Sequence, residues 1–409
     1  MSALLEQAAR PLAEAIGPGF ARDPYPTYAA WREAGPMLWS PDFFGGAWLV
    51  TRHAEVARTL RDPQLSARRT GGWVMRSRAD RRELRGFQRL FARAMLFLDE
   101  PDHERIHATL QSAFRPPALQ RLAPFVERTV DELLDAVEGA QEFDFMQAVA
   151  RPLPARVIAR ILGVPGGDEP RFAAWSEALS IFIGALQPTP EQARKAQDSL
   201  LAMAGCFEAL LKHRARAPGN DLIGQLLRAE ADGRLRDRAE LLAQCVMLLF
   251  AGYETTRNLL GNGLHALLSH PEQWRRLQAE PRLVAPAVRE LLRYESPVQY
   301  TGRRAATDLL LHGQHVRRGE LVIALIGAAN RDPRQHERPD ELDVARSQRP
   351  SLVFGLGPHV CIGAALTLLE GEALLHRLLQ RFPSLRLQHA GARWSGSALY
   401  RGLEGLPVG

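Results

Sequence analysis

Along most of this chain apolar residues return every three or four positions. ALQRLAPFVERTVDELLDAVEG (118–139), SLLAMAGCFEALLKHRARA (199–217), DLIGQLLRAEADG (221–233) and GNGLHALLSHPEQWRRLQAEP (261–281) all carry that spacing, which lays one apolar stripe along a helix and predicts amphipathic helices. Turn formers interrupt them at APGND (217–221) and SHPEQ (269–273). Strand-like runs are few. GAWLVT (46–51) reads as one, and DLLLHG (308–313) and ELVIALI (320–326), joined by QHVRRG, predict a small hairpin. No internal repeat or low-complexity tract is visible, and no Gly/Ser or Pro-rich linker separates differently patterned halves. The expected architecture is mainly α with a small β portion, one domain over 1–409 with 1–20 as a loosely held N-terminal segment.

Composition changes this picture little. At 46% hydrophobic and 24% charged residues the chain can bury a sizeable core. The longest apolar stretch, LLAQCVMLLFAGY (241–253), is too short to span a bilayer, and the first residues lack a basic region followed by an apolar one. No membrane or export signal is expected. Three widely spaced cysteines, Cys206, Cys245 and Cys361, form no evident disulfide framework and fit a reducing cytoplasm. A net charge of +6 raises the question of nucleic acid, but only Lys195 and Lys212 of the 52 basic residues are lysine. The arginines are spread along the chain with no nucleic-acid motif, so an acidic protein partner or an anionic small molecule is the better use of the charge.

The chemistry concentrates in FGLGPHVCIG (354–363), where three glycines surround the lone Cys361. Ile362, Ala365, Leu366, Leu369, Leu374 and Leu378 follow at helical spacing, which puts the cysteine at a helix N-terminus, a place that favours thiolate. Gly355, Gly357 and Gly363 keep a surface free of side chains, suited to a flat ligand. Three readings compete: a buried structural cysteine, a nucleophile with His359 or a distant histidine as base, and an axial thiolate ligand to haem iron. The segment is similar, at every fixed position, to the F-G-x-G-x-H-x-C-x-G haem-binding loop of the cytochrome P450 family.

Other stretches resemble the same family, from DPYPTYAAWREAGP (23–36) to RGLEGLPV (401–408). AGYETT (251–256) follows the apolar run CVMLLF and looks like the family's oxygen-handling helix. A Thr255 hydroxyl can bond back to the Ala251 carbonyl and locally open the helix. The resemblance makes Glu254 and Thr255 the pair that delivers protons for O–O cleavage, with Ala251 beside the haem. ELLRY (290–294) places Glu290 and Arg293 three apart on one helix face. With Arg346 of ELDVAR, where Leu342 stands in place of the usual Phe, the resemblance makes them a structural trio. AANRDP (328–333) also matches.

For haem b (iron protoporphyrin IX), the resemblance implies Cys361 as the iron ligand, Phe354, Gly355 and Gly363 as loop contacts, and His103, Arg303 and His359 as propionate partners. His107 stands where the family usually has arginine, so its charge would follow pH. Met247, Phe250, Val298 and Leu399 would form an apolar substrate pocket. The implied fold is the single-domain cytochrome P450 fold. The implied activity is monooxygenation of a hydrophobic small molecule by O2, in secondary metabolism, with electrons from a ferredoxin and an NAD(P)H-dependent ferredoxin reductase. A haem protein that only binds a ligand or senses a gas is the alternative, against which the retained Glu254 and Thr255 argue; a cysteine hydrolase is a third. The 64–98 region carries nine arginines (68, 69, 76, 78, 81, 82, 85, 89, 93), open to three uses: an anionic substrate group, a partner-docking surface or a solvated face.

Overall fold

A computed structural model of the chain describes residues 18–41, 43–69, 84–185, 187–216, 219–347, 350–389 and 391–409. The N-terminal segment expected to be loosely held therefore lies almost wholly outside the described residues, as do Arg76, Arg78, Arg81 and Arg82 of the arginine-rich region. Helices take 59% of the chain and strands 10%, in line with the mainly α expectation. The helices that build the site are α1 (Asp102–Leu110), α2 (Pro116–Asp135), α3 (Pro152–Leu162), α4 (Glu169–Gly184), α5 (Pro190–Arg214), α6 (Arg238–Ser269), α7 (Val284–Tyr294) and α8 (Ala364–Arg381).

Helix α6 is the axis of the molecule. It opens on Asp237, whose Oδ1 accepts the Glu240 amide at 2.7 Å, an N-cap that satisfies one of the free donors of the first turn. Residues 245–250 are buried on every face, as expected of a helix enclosed by others rather than lying on a surface; α3, α4, α5, α7 and α8 all pack against it. It ends at Ser269, and Pro271 starts the next helix, Pro271–Ala279, so the periodic tract 261–281 is two helices broken at the SHPEQ turn. The segment Gly357–Arg381 is long and apolar enough by composition to cross a membrane, with a mean hydropathy of 1.2. In this fold α8 instead lies against α2, α6 and α7.

The sheet departs from expectation. Strands β1 (Met37–Ser40), β2 (Ala47–Val50), β3 (Leu65–Ser66), β4 (Thr301–Ala305), β5 (Leu309–Leu311), β6 (Gln314–Val316) and β7 (Leu321–Ala324) are present. The predicted pairing of 308–313 with 320–326 does not form: β5 pairs with β6, Leu311 opposite Gln314. His312 and Gly313 both have positive φ (48° and 82°), which makes a tight two-residue turn whose twist matches that of the strands it joins. The chain folds back at once on the segment expected to be the connection. That frees β7 for the centre of a five-stranded sheet of order β1-β2-β7-β4-β3, parallel to β2 and antiparallel to β4. All four β7 residues are buried, as in a strand covered on both faces.

Candidate active site

Cys361 hangs in the loop between the sheet and α8. Its amide donates to the Phe354 carbonyl at 2.8 Å, closing FGLGPHVC on itself. Gly355 and Gly357 sit at φ of 71° and 76°, conformations that L side chains rarely adopt. At Gly357 a Cβ would also come within 3.0 Å of the Leu60 carbonyl oxygen. The glycines thus let the loop turn and approach a neighbouring backbone. Cys361 is exposed, but towards an internal cavity that it lines. Burial raises its thiol above the ordinary value, while a hydrogen bond from the Gly363 backbone opposes the rise. Desolvation thus works against the charged form that the start of α8 favours.

The second wall comes from α6. Thr255 donates its hydroxyl to the Ala251 carbonyl at 3.1 Å, the bond anticipated from the sequence, yet the helix is unbroken through 251–256; sharing that carbonyl does not open it here. Glu254 is buried, and its Oε1 accepts from Arg257 at 2.8 Å and Asn258 at 3.2 Å. Burial pushes the Glu254 carboxyl above its ordinary value, against the pull of Arg257. Arg257 in turn pairs with Glu177 of α4 at 3.3 Å, and Glu177 with Arg151 at 3.2 Å. The sequence motifs point to none of these partners, though Arg257 lies three residues after Glu254, the spacing that singles out Glu290 and Arg293.

Two adjoining cavities share Cys361, Thr255, Ala251, Met247, Val298 and Thr301 in their walls. One, of about 250 Å³, is bounded by the cysteine loop and also by His103, Arg303, Phe354, Gly355 and His359. The other, of about 240 Å³, adds Phe250, Leu399, Glu254, Phe91 and Phe97. The catalytic, haem and substrate-pocket residues anticipated from the sequence meet here, with two exceptions, while the trio Glu290, Arg293 and Arg346 lies apart. Gly363 sits beside the sulfur without lining a cavity, and His107 is outside both, its ring stacked on His103 at 5.7 Å. A larger, more open concavity of about 1280 Å³ lies elsewhere, around Tyr25, Glu295, Arg331 and Arg401. It contains no cysteine, and its Arg331 and Arg401 already pair with Glu295.

One cation, Arg303, and two histidines converge on one edge of the cysteine-loop cavity. His103 and His359 have ring centroids 4.1 Å apart. Arg303 is buried, and its acceptors are the Gly302 carbonyl at 2.9 Å and Thr301 Oγ1 at 3.5 Å. Burial lowers Arg303 to about 10. His359 falls to about 3, from burial first and then from the positive charge of Arg303 and its neighbours. Among the described residues no carboxylate lies within ion-pair distance of Arg303. Such an edge is electrostatically complementary to anions.

Residues 68–394 match the family model described as Cytochrome P450. The chain belongs to the cytochrome P450 family. The biotin biosynthesis cytochrome P450 of Bacillus subtilis (strain 168) is 36% identical over 391 residues, 95% of this chain and 96% of that protein. The cytochrome P450 monooxygenase PikC of Streptomyces venezuelae is 35% identical over 402 residues, covering 96% and 92%. A solved structure of P450BioI in complex with hexadec-9Z-enoic acid ligated acyl carrier protein superposes with a TM-score of 0.89 at 34% identity, covering 95% of this chain and 99% of that one.

The fold of this P450 is the family's, it is an oxidoreductase of the monooxygenase class, and its cofactor is haem held through a cysteine thiolate. The residues present fit that group. A cavity walled by a cysteine sulfur carries, on one edge, a buried arginine without a described carboxylate partner beside two histidines, a donor set that would suit a group whose iron takes a protein sulfur and which bears two carboxylates.

Proposed function

We propose that this P450 hydroxylates or epoxidises a hydrophobic small molecule in secondary metabolism, in the cytoplasm, drawing electrons from a separate ferredoxin and its NAD(P)H-dependent reductase. The observation that carries the reading is that Cys361, the proton-handling pair of α6 and an apolar chamber share one enclosed space. In this reading Cys361 ligates the iron, and His103, Arg303 and His359 hold the propionates. Bound there, haem supplies the redox chemistry that activates dioxygen, assisted by electron density pushed from the thiolate. The net reaction takes dioxygen, two electrons and two protons, places one oxygen in the substrate and releases the other as water.

The chain's own residues supply the protons and the order. Thr255 holds a hydroxyl proton at the cavity wall and can pass it inward while being reprotonated from the protein side. Glu254, raised by burial and anchored by Arg257, is the adjoining proton store. Met247, Phe250, Val298 and Leu399 exclude water and leave room for an apolar chain. The name of one relative, the biotin biosynthesis cytochrome P450, supports a biosynthetic substrate. The P450BioI complex supports an acyl or polyketide-like chain over a compact terpenoid.

Reduced protein exposed to carbon monoxide should show a strongly red-shifted Soret band. With a ferredoxin, its reductase and labelled dioxygen, one labelled oxygen should enter the product; label confined to water would refute oxygenation. Thr255→Ala is expected to slow product formation by about 10²-fold, the low end of what a positioned proton donor contributes. NAD(P)H consumption continues in that variant and hydrogen peroxide accumulates. Unchanged coupling would assign the protons to another route.

A further inference from the structure

One cation in the substrate chamber is left over by the proposed chemistry. Arg69 lines the chamber that holds Phe250 and Leu399 but not the cysteine-loop cavity, whereas Arg303 lines only the latter. Its stem lies over Gly302 in β4, where a Cβ would come within 3.2 Å of Arg69 Cδ. Its guanidinium rests 4.9 Å from the centre of the Phe97 ring. Nη1 donates to the Ala67 carbonyl at 3.0 Å and Nη2 to Thr301 Oγ1 at 3.4 Å. An arginine has five N–H donors, so the others have no acceptor among the described residues.

The carboxylate whose charge reaches Arg69 is already committed. Asp99 accepts from Ser66 Oγ at 2.5 Å and from the Ala67 amide at 2.7 Å, and pairs with Arg68 at 3.6 Å. Burial, and then the charge of Arg303, lower Arg69 to about 9, which still leaves it cationic at neutral pH. A positive charge held against an aromatic ring in an apolar chamber, with donors left over, is costly unless an anion completes it. Arg304, also in the wall, is not equivalent: it donates to the Gly319 carbonyl at 2.7 Å in an exposed hydrogen bond.

We infer that Arg69 is the anion-binding residue of the substrate chamber, and that the preferred substrate is an apolar molecule bearing a carboxylate. The inference deepens the monooxygenase reading and rests on it for what occupies the chamber. A haem propionate offers the same carboxylate chemistry. The substrate is the source favoured here, because Arg69 borders the chamber and not the cysteine-loop cavity, where Arg303 already stands.

The test compares calorimetric titrations of the holoenzyme with tetradecanoic acid and with its methyl ester, in wild type, Arg69→Met and Arg69→Lys. Wild type should prefer the acid, and Arg69→Met should weaken acid binding by about 10- to 100-fold, the worth of a charge-assisted hydrogen bond. Ester binding should change by less than about threefold on that scale, and Arg69→Lys should keep a preference for the acid. Equal affinity for acid and ester in wild type, or unaltered discrimination in Arg69→Met, would overturn the inference. Loss of haem from Arg69→Met with discrimination intact would assign the residue to a propionate and equally overturn it. Calorimetry reads binding whatever the iron's ligand, and the reduced carbon monoxide spectrum of the same samples tests the haem-thiolate reading separately.

Discussion

Cys361→Ser is expected to lack the strongly red-shifted Soret band of the reduced carbon monoxide complex and to oxygenate at least about 10³-fold more slowly, roughly 4 kcal/mol of lost transition-state stabilisation. No other cysteine can substitute. Cys245 is buried in α6, its thiol pushed by burial to about 12, and Cys206 is half-buried on α5; neither lines either cavity. The serine hydroxyl is nearly isosteric, so the fold should survive, and the comparison should isolate the electron-donating sulfur. Visible spectra and turnover with the reconstituted redox partners check it. A retained thiolate band in the variant would remove Cys361 from the iron.

Glu290→Gln is expected to cost about 3–5 kcal/mol, as removal of one partner from a buried ion pair does. Glu290 accepts from Arg293 Nε at 2.7 Å and Nη2 at 2.8 Å, from Arg346 Nε at 2.9 Å and from the Asp343 amide at 3.2 Å. Both Glu290 and Arg293 are buried. Arg293 also donates to the carbonyls of Asn330 and Pro339, at 2.9 and 2.8 Å. Asn330 Oδ1 accepts the Leu352 amide at 2.8 Å, two residues before Phe354. The trio thus ties α7 to the segment that delivers the cysteine loop. The variant should lower the urea midpoint at an unchanged slope and release haem at lower denaturant than wild type. A loss below about 1 kcal/mol would mean that the trio behaves like an exposed pair.

Much of the fold is legible in the order of the amino acids. Period-3.6 tracts announce the helices because an enclosed helix must bury one stripe or all of its surface, and α2 and α5 lie where the apolar spacing puts them. The hairpin forms elsewhere than hydrophobicity predicts because the deciding signal is only two residues long. His312 and Gly313 both take positive φ, and that local turn preempts the longer pairing. The Thr255 to Ala251 bond is legible because it spans one helical turn. The Glu254–Arg257 pair is equally local, but ion pairs at that spacing are common on helices, and only its burial sets this one apart.

By itself the sequence determined the chemistry that local geometry enforces: a cysteine in a glycine-shaped loop ahead of a helix, an acid and a hydroxyl adjacent on another helix, and an ExxR pair. Such features need only fixed spacing along a regular backbone. Tertiary packing alone sets which of the described arginines of 64–98 lines the substrate chamber, that His107 stacks on His103 instead of joining the cavity, and that Asp99 is spent on Ser66, Ala67 and Arg68. The reason is physical. Whether a cation is solvated, paired or left waiting for an anion depends on burial and on competition among residues distant in sequence, and neither is encoded in the spacing of any one segment.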